Sequence, residues 1–106
     1  MINDILLLKK IKEGDLKTFE YVFKTYYVPL CLYTLSIIGR KDIAEEIVQD
    51  LFFKLWRDRE GINILRSLKG YLYKAVRNES LKYCEHISVR QKYKDNIIDG
   101  IAELYE

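Results

Sequence analysis

The side chains best suited to binding chemistry occupy two stretches, and one of them combines a ring, a cation and an amide. Tyr71, Lys74 and Asn78 are three and then four residues apart, and Leu81 or Lys82 continues the same helical stripe. A lysine neutralises phosphate, a tyrosine can stack on a base, and an asparagine can read a base edge. Three further cations border the stripe: Arg66, Lys69 and Arg77. The pattern favours nucleic-acid binding, although a solvated helix face can carry the same residues.

The other stretch, residues 42–58, has aromatic rings where polar side chains are expected. Phe53 and Trp56 share the predicted outer side of a helix with four polar residues, namely Glu46, Gln49, Asp50 and Arg57. Exposed rings bordered by polar groups are typical of protein interfaces, in which the rings are anchors and the charges form a rim. The alternative is that either ring packs under a neighbouring helix of the same domain.

Catalytic chemistry has little support in this sequence. His86 is the single histidine, so neither a catalytic triad nor a histidine-rich metal site can be assembled. Glu45, Glu46 and Asp50 have helical spacing, but they lack the Glu-x-x-His motif of a carboxylate metal site. No glycine-rich phosphate loop is present. We therefore expect no catalytic residue, no metal and no cofactor, and we predict that the protein is not an enzyme.

The apolar pattern that must position these residues is helical. Apolar residues recur at three and four positions along nearly the whole chain, which has one proline and five glycines. This predicts an all-α fold, a compact bundle of four to five helices. The expected helices are residues 4–12, residues from Leu16 to a stop at Gly39, roughly 43–58 and roughly 68–86. After residue 87 we expect a frayed extension or linker, with a short helix near Ile97 to Tyr105.

Helix ends are predicted from local residue chemistry. Asp15, Asp42 and Ser67 are expected N-caps, because their side-chain oxygens can accept a hydrogen bond from the first-turn amides. Pro29 is expected to end or kink the second helix, since proline lacks an amide donor and clashes with the preceding turn. The third helix should bury one stripe in the core: Ala44, Ile47, Val48, Leu51 and Leu55.

The charge distribution and the lengths of the apolar runs limit the classes to which the protein can belong. The net charge is +2, but residues 66–94 hold eight basic and two acidic residues, whereas the last twelve residues hold four acidic and no basic ones. One basic face would suit a polyanion. No apolar run approaches the roughly 20 residues of a membrane span, and the N-terminus lacks a secretory pattern. We expect a cytoplasmic protein in which Cys31 and Cys84 are reduced.

Two segments then carry a more specific resemblance. The segments DIAEEIVQDLFFKLW (42–56) and SLKGYLYKAVRNESLKY (67–83) resemble region 2.2 and regions 2.3 and 2.4 of sigma factors of the extracytoplasmic-function group. Upstream residues, including the Gly-Asp break before Leu16 and the internal Pro29, are similar to regions 1.2 and 2.1. The resemblance covers about residues 5–86.

This resemblance implies two partners and a division of surfaces. Region 2.2 of the family docks on the clamp helices of the polymerase beta-prime subunit, which assigns polymerase binding to seven residues: Glu46, Gln49, Asp50, Phe53, Lys54, Trp56 and Arg57. Regions 2.3 and 2.4 hold the unpaired non-template strand of the −10 element. This assigns DNA binding to the loop 59–67 and to the stripe, with Ile62 and Asn78 near the pocket for a flipped base.

The resemblance also implies the domain organisation and the role of the chain. Residues 1–86 would form region 2, and residues 87–106 a linker or C-terminal extension. Nothing after residue 86 resembles region 4, so we expect an excised region 2 rather than a stand-alone variant. The expected function is to bind RNA polymerase core and to recognise and melt the −10 element, with an anti-sigma factor as a further partner. Two alternatives remain open, a helical adaptor without DNA binding and a regulator that binds duplex DNA.

Overall fold

Four α-helices account for nearly all of the described chain. The computed structural model describes residues 4–63 and 67–105. Its helices are α1 (Asp4–Lys12), α2 (Leu16–Ile38), α3 (Lys41–Arg57) and α4 (Leu68–Tyr105), with a short 3-10 turn (Arg59–Gly61) after α3. The helices α2, α3 and α4 contact one another, and α1 lies across one end of this group. The predicted all-α bundle is confirmed.

Most of the predicted helix ends agree with the hydrogen bonds. The Thr18 amide donates to the Asp15 carboxylate at 3.3 Å, as an N-cap requires. The Gly70 amide donates to Ser67 Oγ at 3.1 Å, which caps α4 in the same way. Gly39 ends α2 with a φ of 73°, a left-handed conformation that costs a glycine little.

One predicted cap differs from the structure. Asp42 does not cap α3, because the helix already begins at Lys41 with Arg40 at the N-cap position. Asp42 instead lies in the first turn, where its carboxylate accepts a 2.7 Å hydrogen bond from Arg40, which lowers the pKa of Asp42. Pro29 was expected to end or kink α2, and the helix runs through it to Ile38, just before the predicted stop at Gly39. Contacts on both sides of the proline, Phe23 with Phe52 of α3 and Tyr33 with Tyr73 of α4, help to offset the loss of one backbone hydrogen bond.

The core lies where α2, α3 and α4 meet. Its fully buried members include Ile11 of α1, Val22 and Leu30 of α2, and Val48 of α3, together with three residues of α4: Leu68, Leu72 and Val76. The predicted α3 stripe is largely confirmed, with Ala44, Val48 and Leu55 buried and Ile47 and Leu51 half-buried. Phe52, which was not predicted, is also buried, because its ring contacts Phe19 and Phe23 of α2.

The helix α4 extends far beyond its predicted end near residue 86. It has 38 residues, about 57 Å at 1.5 Å per residue, and the molecule is 68 Å long. No proline and no left-handed glycine interrupts it after residue 87, so the backbone has no local reason to stop. Within the described residues, none of the helices is both long and apolar enough to cross a membrane.

Candidate DNA and polymerase interfaces

The predicted polymerase-binding residues of α3 point in three directions. A helix turns by about 100° per residue, so the seven residues cannot all share one face. Gln49 and Trp56 lie toward α2, whereas Asp50 and Lys54 lie toward α4. The remaining three point away from both neighbours and form what we call the outer ridge: Glu46, Phe53 and Arg57.

The outer ridge carries an exposed aromatic ring. Phe53 is 62% exposed, and the guanidinium carbon of Arg57 lies 5.6 Å from its ring centroid. Arg57 also donates two hydrogen bonds of 3.0 Å to Asp58, which lower the pKa of the Asp58 carboxyl. A large exposed ring beside a guanidinium is the composition expected at the centre of a protein interface. The ridge therefore fits a protein partner.

Trp56 differs from the prediction of an exposed ring. Its indole is half-buried, with its centroid 4.9 Å from that of Phe19, and the guanidinium carbon of Arg59 lies 4.4 Å from it on the outside. Gln49, also on the α2 side, donates a 3.1 Å hydrogen bond to the Tyr27 hydroxyl. The alternative of packing under a neighbouring helix thus describes Trp56, while Phe53 remains exposed.

A groove separates α3 from α4. Its volume is about 230 Å³, and Asp50 and Lys54 lie on one wall while Tyr71 and Glu79 lie on the other. Asp50 and Lys54 form a 2.9 Å ion pair, which raises the pKa of Lys54, and Glu79 across the groove raises it further. Ile62 also lines this groove, so the structure brings Ile62 and Tyr71 together. We call this feature the α3–α4 groove.

The α4 stripe, defined by Tyr71, Lys74 and Asn78, runs beside this groove. Tyr71 is half-buried at the groove, whereas Lys74 and Asn78 are exposed one and two turns further along the helix. Three more predicted DNA-binding cations are exposed on α4, namely Lys69, Arg77 and Lys82. Among the described residues, Lys82 has an ion-pair partner at 3.5 Å, Glu79, and the other cations of this surface have none within 4.0 Å. The predicted DNA-binding residue Arg66 lies outside the described residues.

One further surface was not predicted from the sequence. Val28 and Leu32, one turn apart on α2, are 60% and 62% exposed. They border a mainly apolar groove of about 230 Å³ between α2 and α3, with Cys31 and Leu35 on its walls. The sequence did contain an indication of this surface. Val28 and Leu32 are apolar but fall on the side of α2 opposite to the core-facing Phe19 and Leu30.

The described residues contain no group of three metal-ligating side chains that could hold an ion. Both cysteines are free and half-buried, and burial raises the pKa of the Cys31 thiol.

Comparison with known proteins identifies the family of this chain. Among curated proteins, none matches the chain significantly. The solution structure of an engineered region 2 of sigmaE in complex with GTAAAA is similar, with a TM-score of 0.68 and 22% identity over 84% of this chain and 93% of that chain. At this identity the likeness concerns the fold. The family of Sigma-70 region 2 matches residues 22–88, which is more than half of the sequence and includes the outer ridge, the α3–α4 groove and the α4 stripe. This chain therefore belongs to the Sigma-70 region 2 family.

Proposed function

We propose that this region 2 domain docks on RNA polymerase core through the outer ridge and holds the unpaired non-template strand of the −10 element along the α4 stripe. The family membership supports the general role in transcription initiation. The assignment of the two tasks to these residues is our proposal. The observation that carries it is the separation of two binding surfaces, one with exposed Phe53 on α3 and one with exposed Lys74 and Asn78 on α4.

The outer ridge is suited to the polymerase because it offers an aromatic ring that is 62% exposed. Arg57 and Glu46 flank Phe53 with both signs of charge. Where such a ring is a hot spot of the interface, truncating it weakens binding by about 2 kcal/mol or more. We expect the clamp helices of the beta-prime subunit to supply the complementary surface, with the apolar pair Val28 and Leu32 close to its border.

The α4 stripe is suited to a single DNA strand because its basic side chains have no acidic partners within the part of the chain that the structure describes and the ring of Tyr71 is packed in a fixed position. Lys74 and Arg77 have no carboxylate within ion-pair distance in the described residues, so they are free for phosphates. Tyr71 is packed against the core, which lowers the entropy cost of presenting its exposed part to a base. Asn78, one turn beyond Lys74, can donate to and accept from a base edge.

The α3–α4 groove suits a base that has left the stack. Its volume of about 230 Å³ is large enough for one nucleobase, and its walls combine Ile62 and Tyr71 with Lys54 and with three carboxylates, those of Asp50, Asp58 and Glu79. Stacking contributes about 1 to 3 kcal/mol per base, and extruding one base costs a few kcal/mol. The free energy gained by capturing one base therefore nearly balances the cost of extruding it. Opening of the −10 base pairs in this way breaks no covalent bond.

Polymerase is needed to hold this domain at a promoter. A small surface with few phosphate contacts binds weakly and with strong salt dependence. We therefore propose that the two surfaces act together, in the cytoplasm where the polymerase works. An anti-sigma factor would inactivate the domain by covering either of them.

A titration with single-stranded DNA tests the proposal. The probe is a fluorescently labelled oligonucleotide that contains GTAAAA, and its anisotropy is measured with the domain alone and with polymerase core present. We expect weak binding by the domain alone and much tighter binding by the complex with core. Tighter binding to the matching duplex would favour a duplex regulator. Absence of both DNA binding and competition with other sigma factors for core would favour a helical adaptor.

A further inference from the structure

The part of α4 beyond the bundle has one face that is built like a helix interface. Its residues follow alternating spacings of three and four positions, which is the period of helix-to-helix packing. We call this line the α4 seam, and it consists of Ile87, Arg90, Lys94, Ile97, Ile101 and Leu104. Its apolar members are exposed, from 43% for Ile87 to 83% for Leu104.

The seam continues the line along which α4 packs inside the bundle. The same alternation, followed backward from Ile87, reaches Tyr83, Ser80 and Val76. Val76 and Ser80 are fully buried, and Tyr83 is half-buried. One helix face is therefore covered by the other helices up to about Tyr83 and, within the described residues, is uncovered from Ile87 onward. Continuity with an existing packing face indicates that a further helix would extend the bundle along this line.

Two cations lie within the seam, between Ile87 and Ile97. Arg90 and Lys94 have no ion-pair partner within 4.0 Å in the described part of the chain. The acidic residues of the extension cannot reach them, because Asp95, Asp99 and Glu103 lie on the opposite side of the helix at about 100° per residue. A partner that covers the seam must therefore bring carboxylates to these two positions, since burying an unpaired charge is costly.

A second copy of this chain does not meet that requirement. In a parallel pair, Arg90 and Lys94 would face their own copies, and in an antiparallel pair they would face Ile101 and Ile97. Both arrangements bury cations without an anion.

Nucleic acid is also a poor occupant of the seam. Four apolar side chains flank the two cations, whereas phosphate-binding surfaces are polar and strongly positive. The carboxylates on the opposite side of the same helix would further repel a polyanion.

We propose that the α4 seam docks an amphipathic helix of another polypeptide, whose own seam is apolar at both ends and carries two carboxylates opposite Arg90 and Lys94. The extension on its own has few tertiary contacts, and an isolated helix of this length is marginal in water. Docking therefore also stabilises the helical state of residues 87–105. This surface lies beyond the α4 stripe and the outer ridge, so the inference does not depend on the proposed function.

Peptide binding to the whole chain tests this inference. The first probe is a synthetic helical peptide of about 20 residues with leucines along its seam and two glutamates at the centre, and the second replaces those glutamates with lysines. We expect the glutamate peptide to bind, and we expect Arg90→Glu or Lys94→Glu to weaken that binding by about tenfold. The double variant R90E/K94E should instead prefer the lysine peptide.

Lys92→Glu is the matched control, because Lys92 lies two residues from Arg90 but on the opposite face of the helix. This change alters the net charge equally and should leave peptide affinity within about twofold. The proposal is overturned if neither peptide binds, if Lys92→Glu acts like Arg90→Glu, or if analytical ultracentrifugation shows a dimer that Ile101→Asp dissociates. It is also overturned if DNA affinity falls about tenfold in R90E and not in K92E, since the seam would then be a nucleic-acid surface.

Discussion

Arg59 makes two contacts with Trp56, one with its ring and one with its backbone. Its guanidinium carbon lies 4.4 Å from the indole centroid, and its Nη1 donates a 2.9 Å hydrogen bond to the Trp56 carbonyl oxygen. The indole also contacts Phe19 of α2, with 4.9 Å between the ring centroids. One side chain thus joins the end of α3, the 3-10 turn and the core. This arrangement also uses Arg59, a residue of the loop expected to carry DNA, for a structural role.

Arg59→Ala should lower the free energy of unfolding by about 1 to 2 kcal/mol, because it removes a cation over the indole and a hydrogen bond to a helix-end carbonyl. Part of the loss is offset, since Arg59 Nε is buried with no hydrogen-bond partner among the described residues. Urea unfolding followed by Trp56 fluorescence and by circular dichroism measures the change. Arg57→Ala is the control, as that guanidinium is exposed over Phe53, and it should change stability by less than about 0.5 kcal/mol. Equal effects of the two changes would contradict the structural role of Arg59.

Phe53→Ala should weaken binding to polymerase core by about tenfold or more, because it removes the ring of the outer ridge. Stability should change little, since the side chain is 62% exposed. Competition with a labelled sigma factor for core measures the affinity. Leu16→Ala removes a side chain of matching exposure, 63%, from the start of α2 and should leave the affinity unchanged. If the two variants bind core equally, the outer ridge is not the docking surface.

Asn78→Ala should reduce selectivity for one base of the −10 strand and leave polymerase binding unchanged. The amide is exposed beside Lys74, and a bidentate contact to a base is worth about 1 to 3 kcal/mol of discrimination. Affinities for a set of single-base variants of the strand, measured with core present, give the selectivity. Lys74→Ala should instead weaken the binding of all strand variants by the same factor, because a phosphate contact carries no sequence information. Loss of polymerase binding in Asn78→Ala would refute the division of surfaces.

Gly39→Ala should destabilise the domain by about 1 kcal/mol or more, because its φ of 73° is a left-handed conformation that a Cβ disfavours. The cost is one of backbone conformation alone, as nothing lies within 4 Å of the position a Cβ would take. Thermal and urea unfolding measure it. Gly61 is equally open but has no positive φ, so Gly61→Ala should cost less than about 0.5 kcal/mol. A larger effect at Gly61 than at Gly39 would contradict the C-cap assignment.

Cys31 should react slowly with iodoacetamide in the folded protein. Burial raises the pKa of its thiol, a hydrogen bond with Tyr27 lowers it in part, and the charge of Glu45 raises it. Only the thiolate reacts, so a raised pKa means less thiolate at a given pH and a rate that keeps rising above the pH at which a free cysteine levels off. The rate is measured against pH in a Cys84→Ser background, which isolates Cys31. The urea-unfolded protein should show the ordinary profile, and identical folded and unfolded profiles would contradict the prediction.

The sequence by itself determined the helices and most of their ends. Caps at Asp15 and Ser67 and the stop at Gly39 depend on side chains and backbone within one turn, so local chemistry was enough. The α4 stripe was also predictable, because residues three and four positions apart must share a helix face. Two local predictions were wrong: Asp42 pairs with Arg40 in the first turn of α3 instead of capping the helix, and α4 continues past residue 86 to Tyr105.

Only the tertiary structure decided which outward residues are free. A helical wheel assigns Phe53 and Trp56 to one arc, but it contains no information on the neighbouring helices, and α3 contacts both α2 and α4. The side chain of Trp56 is long enough to reach Phe19, whereas Phe53 points between the two neighbours into solvent. The same packing joined Ile62 and Tyr71 across the α3–α4 groove and left Ile97 and Ile101 uncovered. Exposure depends on contacts between residues far apart in the chain, and the spacing of residues within one helix carries no record of those contacts.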